Sequence, residues 1–161
     1  TAKIIIKCNA LIEPEIIRAL YRASQAGVKI ELIIRGICCL RPGVPGVSDN
    51  IIVRSIIGRF LEHTRVFYFY GQGEETLYLS SADWMDRNFF RRVEIAFPVE
   101  DKKLRRQIIK EGLNGYLQDN TEAWILQRDG EYKRRSPAKN QKPRSAQNAL
   151  LEQIQTHTLP D

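Results

Sequence analysis

The chain is poor in the residues that most often carry metal and redox chemistry. Its 161 residues include two histidines, three cysteines and one methionine. Cys8, Cys38 and Cys39 show no metal-ligand spacing, which excludes a zinc ribbon or finger. They read as small buried hydrophobes of a reducing compartment. No apolar run reaches the roughly 20 residues that span a bilayer. The opening Thr1-Ala2-Lys3-Ile4-Ile5-Ile6 lacks a signal-peptide layout and an initiator methionine, and enters a strand at once. It reads as a piece of a longer protein. No Walker-type loop, dinucleotide fingerprint or internal repeat is present. Phosphoryl chemistry, if any, must rest on histidine and arginine, and no metal ligands are expected in the chain itself.

Hydrophobic residues make up 43% and charged residues 27%, the balance of an ordinary globular domain with a real core. The net charge of +6 favours anionic partners without choosing among nucleic acid, acidic lipid and phosphate-rich small molecules.

The β-branched run Lys3 to Asn9 predicts a buried strand. Pro14 opens a helix whose apolar stripe is Ile16, Ile17, Leu20, Tyr21 and Ala23, and Gly27 ends it. Lys29 to Arg35 follows as a second strand, so the three form a right-handed βαβ unit with parallel strands. Gly36 to Gly46 is a Gly- and Pro-rich loop at the carboxyl end of that strand, where ligands of open α/β sheets bind. Ile51 to Ile57 is a further strand and Arg59 to Glu62 a short helical turn. Arg65 to Tyr70 and Thr76 to Ser81 are strands joined by Gly71 to Glu75, and Arg92 to Phe97 is one more. Asp101 to Leu117 is a helix with a basic flank. Trp124 to Gln127 and Glu131 to Arg134 form a hairpin around Asp129-Gly130. Residues 1–135 thus read as one α/β domain with a mixed, mostly parallel sheet. Residues 136–161 read as a basic linker and a helix capped by Ser145.

The chemistry concentrates in His63-Thr64-Arg65 and in Ser81-Ala82-Asp83-Trp84-Met85-Asp86-Arg87-Asn88. An imidazole with an unperturbed pKa near 6.5 relays protons or carries a phosphoryl group. Arginine forks and small polar side chains match phosphate oxygens. Arg59, Glu62 and Arg65 surround His63. Arg35 ends a buried strand at the mouth of the Gly/Pro loop, the place for a phosphate clamp. The bland alternatives are a salt-bridged strand-end arginine, a turn or helix cap for Asp83, and core packing for Trp84 and Met85.

Four ordered segments carry a resemblance: Ala23-Ser24-Gln25-Ala26-Gly27-Val28, Leu32 to Gly43, Ile57-Gly58-Arg59-Phe60-Leu61-Glu62-His63-Thr64-Arg65, and Ser81 to Asn88. They resemble the C-terminal catalytic domain of the long bacterial polyphosphate kinases, across about residues 3 to 154. The resemblance implies a phospholipase D-like fold. It implies reversible transfer of the terminal phosphate of ATP to inorganic polyphosphate through a phosphohistidine held in an upstream domain absent here. His63-Thr64-Arg65 is similar to a His-x-Lys motif with Arg65 in the lysine place. His63 then becomes the expected catalytic residue, touching nucleotide phosphates, and Arg35 a nucleotide-phosphate contact. Arg59, Arg65, Arg87 and Asn88 are further expected phosphate ligands. Mg2+ is implied with ligands upstream, ATP or ADP and polyphosphate as substrates, and self-association of the full-length protein.

On that footing the chain is expected to be inactive alone, to work with the upstream domains of its own polypeptide, and to bind no nucleic acid. A cytoplasmic location is expected, with peripheral membrane association allowed. A phospholipase D-type phosphodiesterase and a non-catalytic polyanion-binding module are the rival functions.

Overall fold

A computed structural model describes residues 2–157, so Thr1 and residues 158–161 of the expected C-terminal segment lie outside the described residues. The βαβ unit forms as the hydrophobic pattern requires. Strand β1 (Lys3–Cys8) pairs in parallel with β2 (Lys29–Ile34) across helix α1 (Pro14–Gln25). Pro14 occupies the first turn, and the Glu13 carboxylate caps it by accepting from the Ile16 N–H at 2.7 Å. Gly27 ends the helix at φ +86°, a conformation that strains any residue carrying a Cβ.

Strand β3 (Ile51–Ile56) is parallel to β2, and there the parallel part of the sheet stops. β4 (Val66–Gly71), β5 (Glu74–Ser80) and β6 (Ala96–Pro98) extend one side through antiparallel pairings, and β7 (Ala123–Leu126) and β8 (Tyr132–Arg134) extend the other. The eight-stranded order is β6-β5-β4-β1-β2-β3-β7-β8. The sheet is mixed as expected, but parallel pairing is confined to its centre. At β4 and β5 the reason is local. β4 and β5 are joined by the two-residue turn Gln72-Gly73, both at positive φ, and such a turn imposes antiparallel neighbours.

Alternation along the strands builds two cores. Ile6, Ile30, Leu32, Ile34 and Val53 face α1, whereas Ile5, Ile33, Ile56, Val66 and Leu77 face the other layer. That second layer begins with α3 (Lys102–Ile108), capped by Asp101, which accepts from the Lys103 and Leu104 N–H groups at 2.8 Å each. The predicted continuous helix to Leu117 then widens into π-helical turns over Ile109–Asn114 and resumes as α4 (Gly115–Leu117). Helix α2 (Asp86–Phe90) is a single turn, and α5 (Ala146–His157) is the expected C-terminal helix.

Two expected elements differ. Arg59 to Glu62 forms a bend rather than a helical turn. The strand expected over Arg92 to Phe97 is shortened to Ala96–Pro98 at the sheet's edge, where a proline costs no ladder bond. The stretch before α5 is stitched to the body. Asn120 Oδ1 accepts from the Arg144 N–H at 2.7 Å, and Asp119 Oδ2 accepts from the Ala146 N–H at 2.7 Å. No helix among the described residues is long and apolar enough to cross a membrane.

Candidate functional site

The site gathers at the carboxyl ends of β1 and β2 and on the segment joining β3 to β4. Asn9 follows β1 and Arg35 follows β2, so strand geometry alone brings them together: Arg35 Nε donates to Asn9 Oδ1 at 3.1 Å. Asn9 in turn donates from its backbone N–H at 2.8 Å and its Nδ2 at 3.0 Å to Asp83 Oδ1. Asp83 also receives the Arg65 fork, Nε on Oδ1 at 3.1 Å and one Nη on Oδ2 at 3.0 Å. The other Nη of Arg65 donates to the His63 carbonyl at 3.1 Å. A continuous chain of hydrogen bonds therefore runs from the His63 backbone to the Arg35 guanidinium.

Burial works to raise the Asp83 carboxyl, but the bonds from Arg65 and Asn9 and the Arg65 charge outweigh it and hold the group below its ordinary value. Asp83 is thus a fixed anion between two arginines. The Arg65 fork is spent on Asp83 and on the His63 carbonyl. Arg35 is bound through Nε alone. Among the described residues its two Nη groups take no partner, and neither do the ring nitrogens of the exposed His63.

A second, buried cluster lies beneath His63. The Lys7 ammonium, 3% exposed, pairs with Glu62 Oε2 at 2.7 Å, donates to Thr64 Oγ1, and sits 4.1 Å from the centroid of the Tyr116 ring. Burial pushes the Lys7 pKa down, against the pull of Glu62. The Tyr116 phenol is pushed up, first by burial and then by the nearby Glu62 charge. Gln147 of α5 completes the cluster, donating to Glu62 Oε1 at 2.7 Å. Between the two networks is a void of about 10 Å³, room for a single water, bordered by Lys7, Asn9, Arg35, Glu62 and Thr64. On the outer side His63, Thr64, Arg65, Tyr116, Leu150 and Ile154 line an open cleft of about 530 Å³.

The remaining expected residues lie outside this chain of hydrogen bonds. Arg59 is exposed on the His63 segment, its guanidinium 5.4 Å from the Phe60 ring centroid. Arg87 is exposed on α2. Asn88 is buried, and its Nδ2 donates to Glu94 Oε1 at 2.6 Å while the Ser81 hydroxyl donates to Glu94 Oε2. Its amide therefore braces the Asp83 segment. Asp83 is an arginine partner, not a turn or helix cap. Trp84 is buried against Phe67, their ring centroids 5.2 Å apart.

Sequence reasoning missed Lys7, Asn9, Tyr116 and Gln147. Only Lys7 left a signal, a lone charge inside the apolar run of β1.

The sequence profile described as polyphosphate kinase C-terminal domain 2 matches residues 1–147. This chain belongs to that polyphosphate kinase domain family. It is 63% identical over 153 residues to the polyphosphate kinase of Pseudomonas aeruginosa, covering 95% of this chain and 22% of the relative. It is 61% identical over 150 residues to that of Paraburkholderia phytofirmans, covering 93% and 22%. The chain thus spans about 22% of the length of the curated relatives it matches. The crystal structure of polyphosphate kinase from Porphyromonas gingivalis superposes with a TM-score of 0.91 at 40% identity, over 97% of this chain and 24% of that one. NucT from Helicobacter pylori shares the fold at a TM-score of 0.52 and 14% identity, over 67% of this chain and 74% of its own. The fold is the phospholipase D-like α/β fold of the polyphosphate kinase C-terminal domain.

Proposed function

We propose that this chain is the C-terminal half-site of a polyphosphate kinase, which moves the terminal phosphate of ATP to inorganic polyphosphate and back. The observation that carries this reading is the bonded path from the His63 backbone to Arg35, in a chain of this family whose His63 ring and Arg35 Nη groups take no partner among the described residues. Phosphoryl transfer asks a protein mainly for positioning and for positive charge where negative charge develops.

In this reading the nucleophilic histidine lies in a domain outside this chain. Its nitrogen bonds to the γ-phosphorus as the bond to ADP breaks, and a terminal polyphosphate oxygen then takes the group from the phosphohistidine. Arg35 holds nucleotide phosphates through its Nη groups. His63 stabilises or protonates the leaving phosphate oxygen. Arg59 and Arg87 contribute positive field along the substrate's path. Arg65 and Asn88, engaged with Asp83 and Glu94, act by holding the segments that carry the other groups.

Mg2+ does not fit the site's own carboxylates. Asp83 is saturated by Arg65 and Asn9, and Glu62 by Lys7 and Gln147. A metal accompanying the nucleotide would need ligands from outside the described residues of this chain. We place the whole enzyme in the cytoplasm, where nucleotide is supplied, as a self-associating protein.

The test is complementation. This chain is mixed with separately expressed upstream domains, and polyphosphate formation from ATP is followed for wild type and His63→Ala. Activity with the wild type that disappears with His63→Ala is expected. Equal activity in both would remove His63 from the mechanism. If the pieces do not reassemble, the same substitution in the full-length enzyme decides.

A further inference from the structure

The segment Ile57 to Arg65 carries His63 but has neither helix nor strand to satisfy its backbone. One side chain supplies what secondary structure would. Gln147 Oε1 accepts from the Phe60 N–H at 2.9 Å, and its Nε2 donates to the Phe60 carbonyl at 2.8 Å and to Glu62 Oε1 at 2.7 Å. The amide thus pairs with the backbone of residue 60 much as a neighbouring strand would, 87 positions away in sequence. It also grips the side chain immediately before His63.

Gln147 is 5% exposed and rigidly placed. The first turn of α5 is anchored by Asp119 Oδ2 on the Ala146 N–H and by the Ser145 hydroxyl, which donates to Glu122 at 2.7 Å. One and two turns further on, Leu150 and Ile154 form part of the wall of the cleft that His63 borders. The same helix therefore shapes the cleft and holds the segment that reaches into it.

We propose that Gln147 is the positioning residue for His63, and that α5 serves polyphosphate kinase turnover by fixing where the imidazole stands. The proposal rests on the reading of His63 as a site residue. A shift of about 1 Å in a reacting group is enough to cost turnover about 100-fold. Arg35 and its contacts are untouched by Gln147, so the loss falls on turnover and spares nucleotide binding.

The experiment uses the full-length polyphosphate kinase carrying this domain, with Gln147→Met, Gly58→Ala, His63→Ala and, as a control, Gln155→Ala on the exposed side of α5. Gln147→Met keeps the volume and removes the hydrogen bonds. Gly58→Ala leaves the Gln147 side chain chemically intact but sets a Cβ 2.5 Å from its Oε1 and 2.7 Å from Glu122 Oε2, so the amide is displaced. Both are expected to lower kcat by about 10- to 100-fold with KM for ATP within about twofold. Both should speed amide hydrogen exchange across residues 57–65 by about tenfold while β1 to β3 stay protected. Gln155→Ala stays at wild type.

His63→Ala inactive with both other variants at wild-type turnover overturns the positioning role alone. So does a loss in which KM and kcat change together, or which merely tracks a lost folded fraction. If Gln147→Met does not fold, Gly58→Ala decides. His63→Ala at wild-type turnover overturns the reading of His63, and this proposal with it.

Discussion

Lys7→Met removes a buried ammonium and leaves Glu62 with no cation. The two side chains are 3% and 10% exposed, so water cannot take over the charge. Breaking a buried pair from one side costs about 3–5 kcal/mol, because the surviving charge stays desolvated. Two features move the expected value to the lower end. Glu62 keeps the Gln147 amide as a donor. Lys7 is itself held against its preference for water, as its lowered pKa records. A loss of about 3 kcal/mol is expected, or a fall in Tm of about 6–12 °C for a domain of this size. The assay is urea unfolding of the chain, comparing midpoints at equal slope. Glu62→Gln alone removes the counter-charge of Lys7 while leaving it an amide oxygen at position 62, and should cost about 2 kcal/mol. The Lys7→Met/Glu62→Gln pair should cost far less than the sum of its parts, with a coupling of about 2 kcal/mol or more. A Lys7→Met loss below about 1 kcal/mol, or strict additivity in the cycle, would refute the idea that a dry ion pair supports His63 from below.

Asp83→Asn should destabilise by about 1–3 kcal/mol near neutral pH through loss of the Arg65 pair. The folded Asp83 titrates below its ordinary 3.8, so its contribution is complete above that value and is lost as pH falls through the lower folded pKa. Stability curves of wild type and Asp83→Asn should run parallel above pH 3.8 and converge below it, and a constant gap down to low pH would contradict this. Arg35→Ala should weaken ATP or polyphosphate binding by the full-length enzyme about tenfold or more, with little effect on unfolding, since it gives up one protein hydrogen bond; titration calorimetry and a melt check both halves. Arg65→Lys keeps the charge but cannot bridge Asp83 and the His63 carbonyl together, so it should lower kcat and leave KM for ATP nearly unchanged in steady-state assays.

The parts of this molecule legible in its sequence are those set by local chemistry. Pro14, Gly27 and the β-branched runs on either side dictate the βαβ unit, and Asp129-Gly130 dictates its hairpin. Arg35 stands out as a charge where a buried strand ends, and His63 as one of two histidines, set among Arg59, Glu62 and Arg65 on a segment leading into a strand. The rest depends on distant partners. Phe60 sits in a bend instead of the expected helical turn because Gln147 satisfies its backbone. Asp83 looks like a cap in sequence and is an arginine clamp in space, since only folding brings Asn9 and Arg65 to it. The π-helical turns at Ile109–Asn114 carry no local sign; Gly112, the residue there without a side chain, lies against Val66 of β4. Lys7 was visible as an oddity, but its meaning required Glu62, Tyr116 and Gln147 around it.

The two rims of the sheet limit how this domain meets others. β6 and β8 are three residues long, one ends in Pro98, and the other carries Lys133 and Arg134 facing solvent. Such rims offer few free backbone groups and resist a further strand. Recruitment by sheet continuation, the easiest route to fibres and to promiscuous pairing, is disfavoured at both rims. The helices and loops, where geometry is chosen residue by residue, are then the better-suited faces for a contact with another subunit or domain.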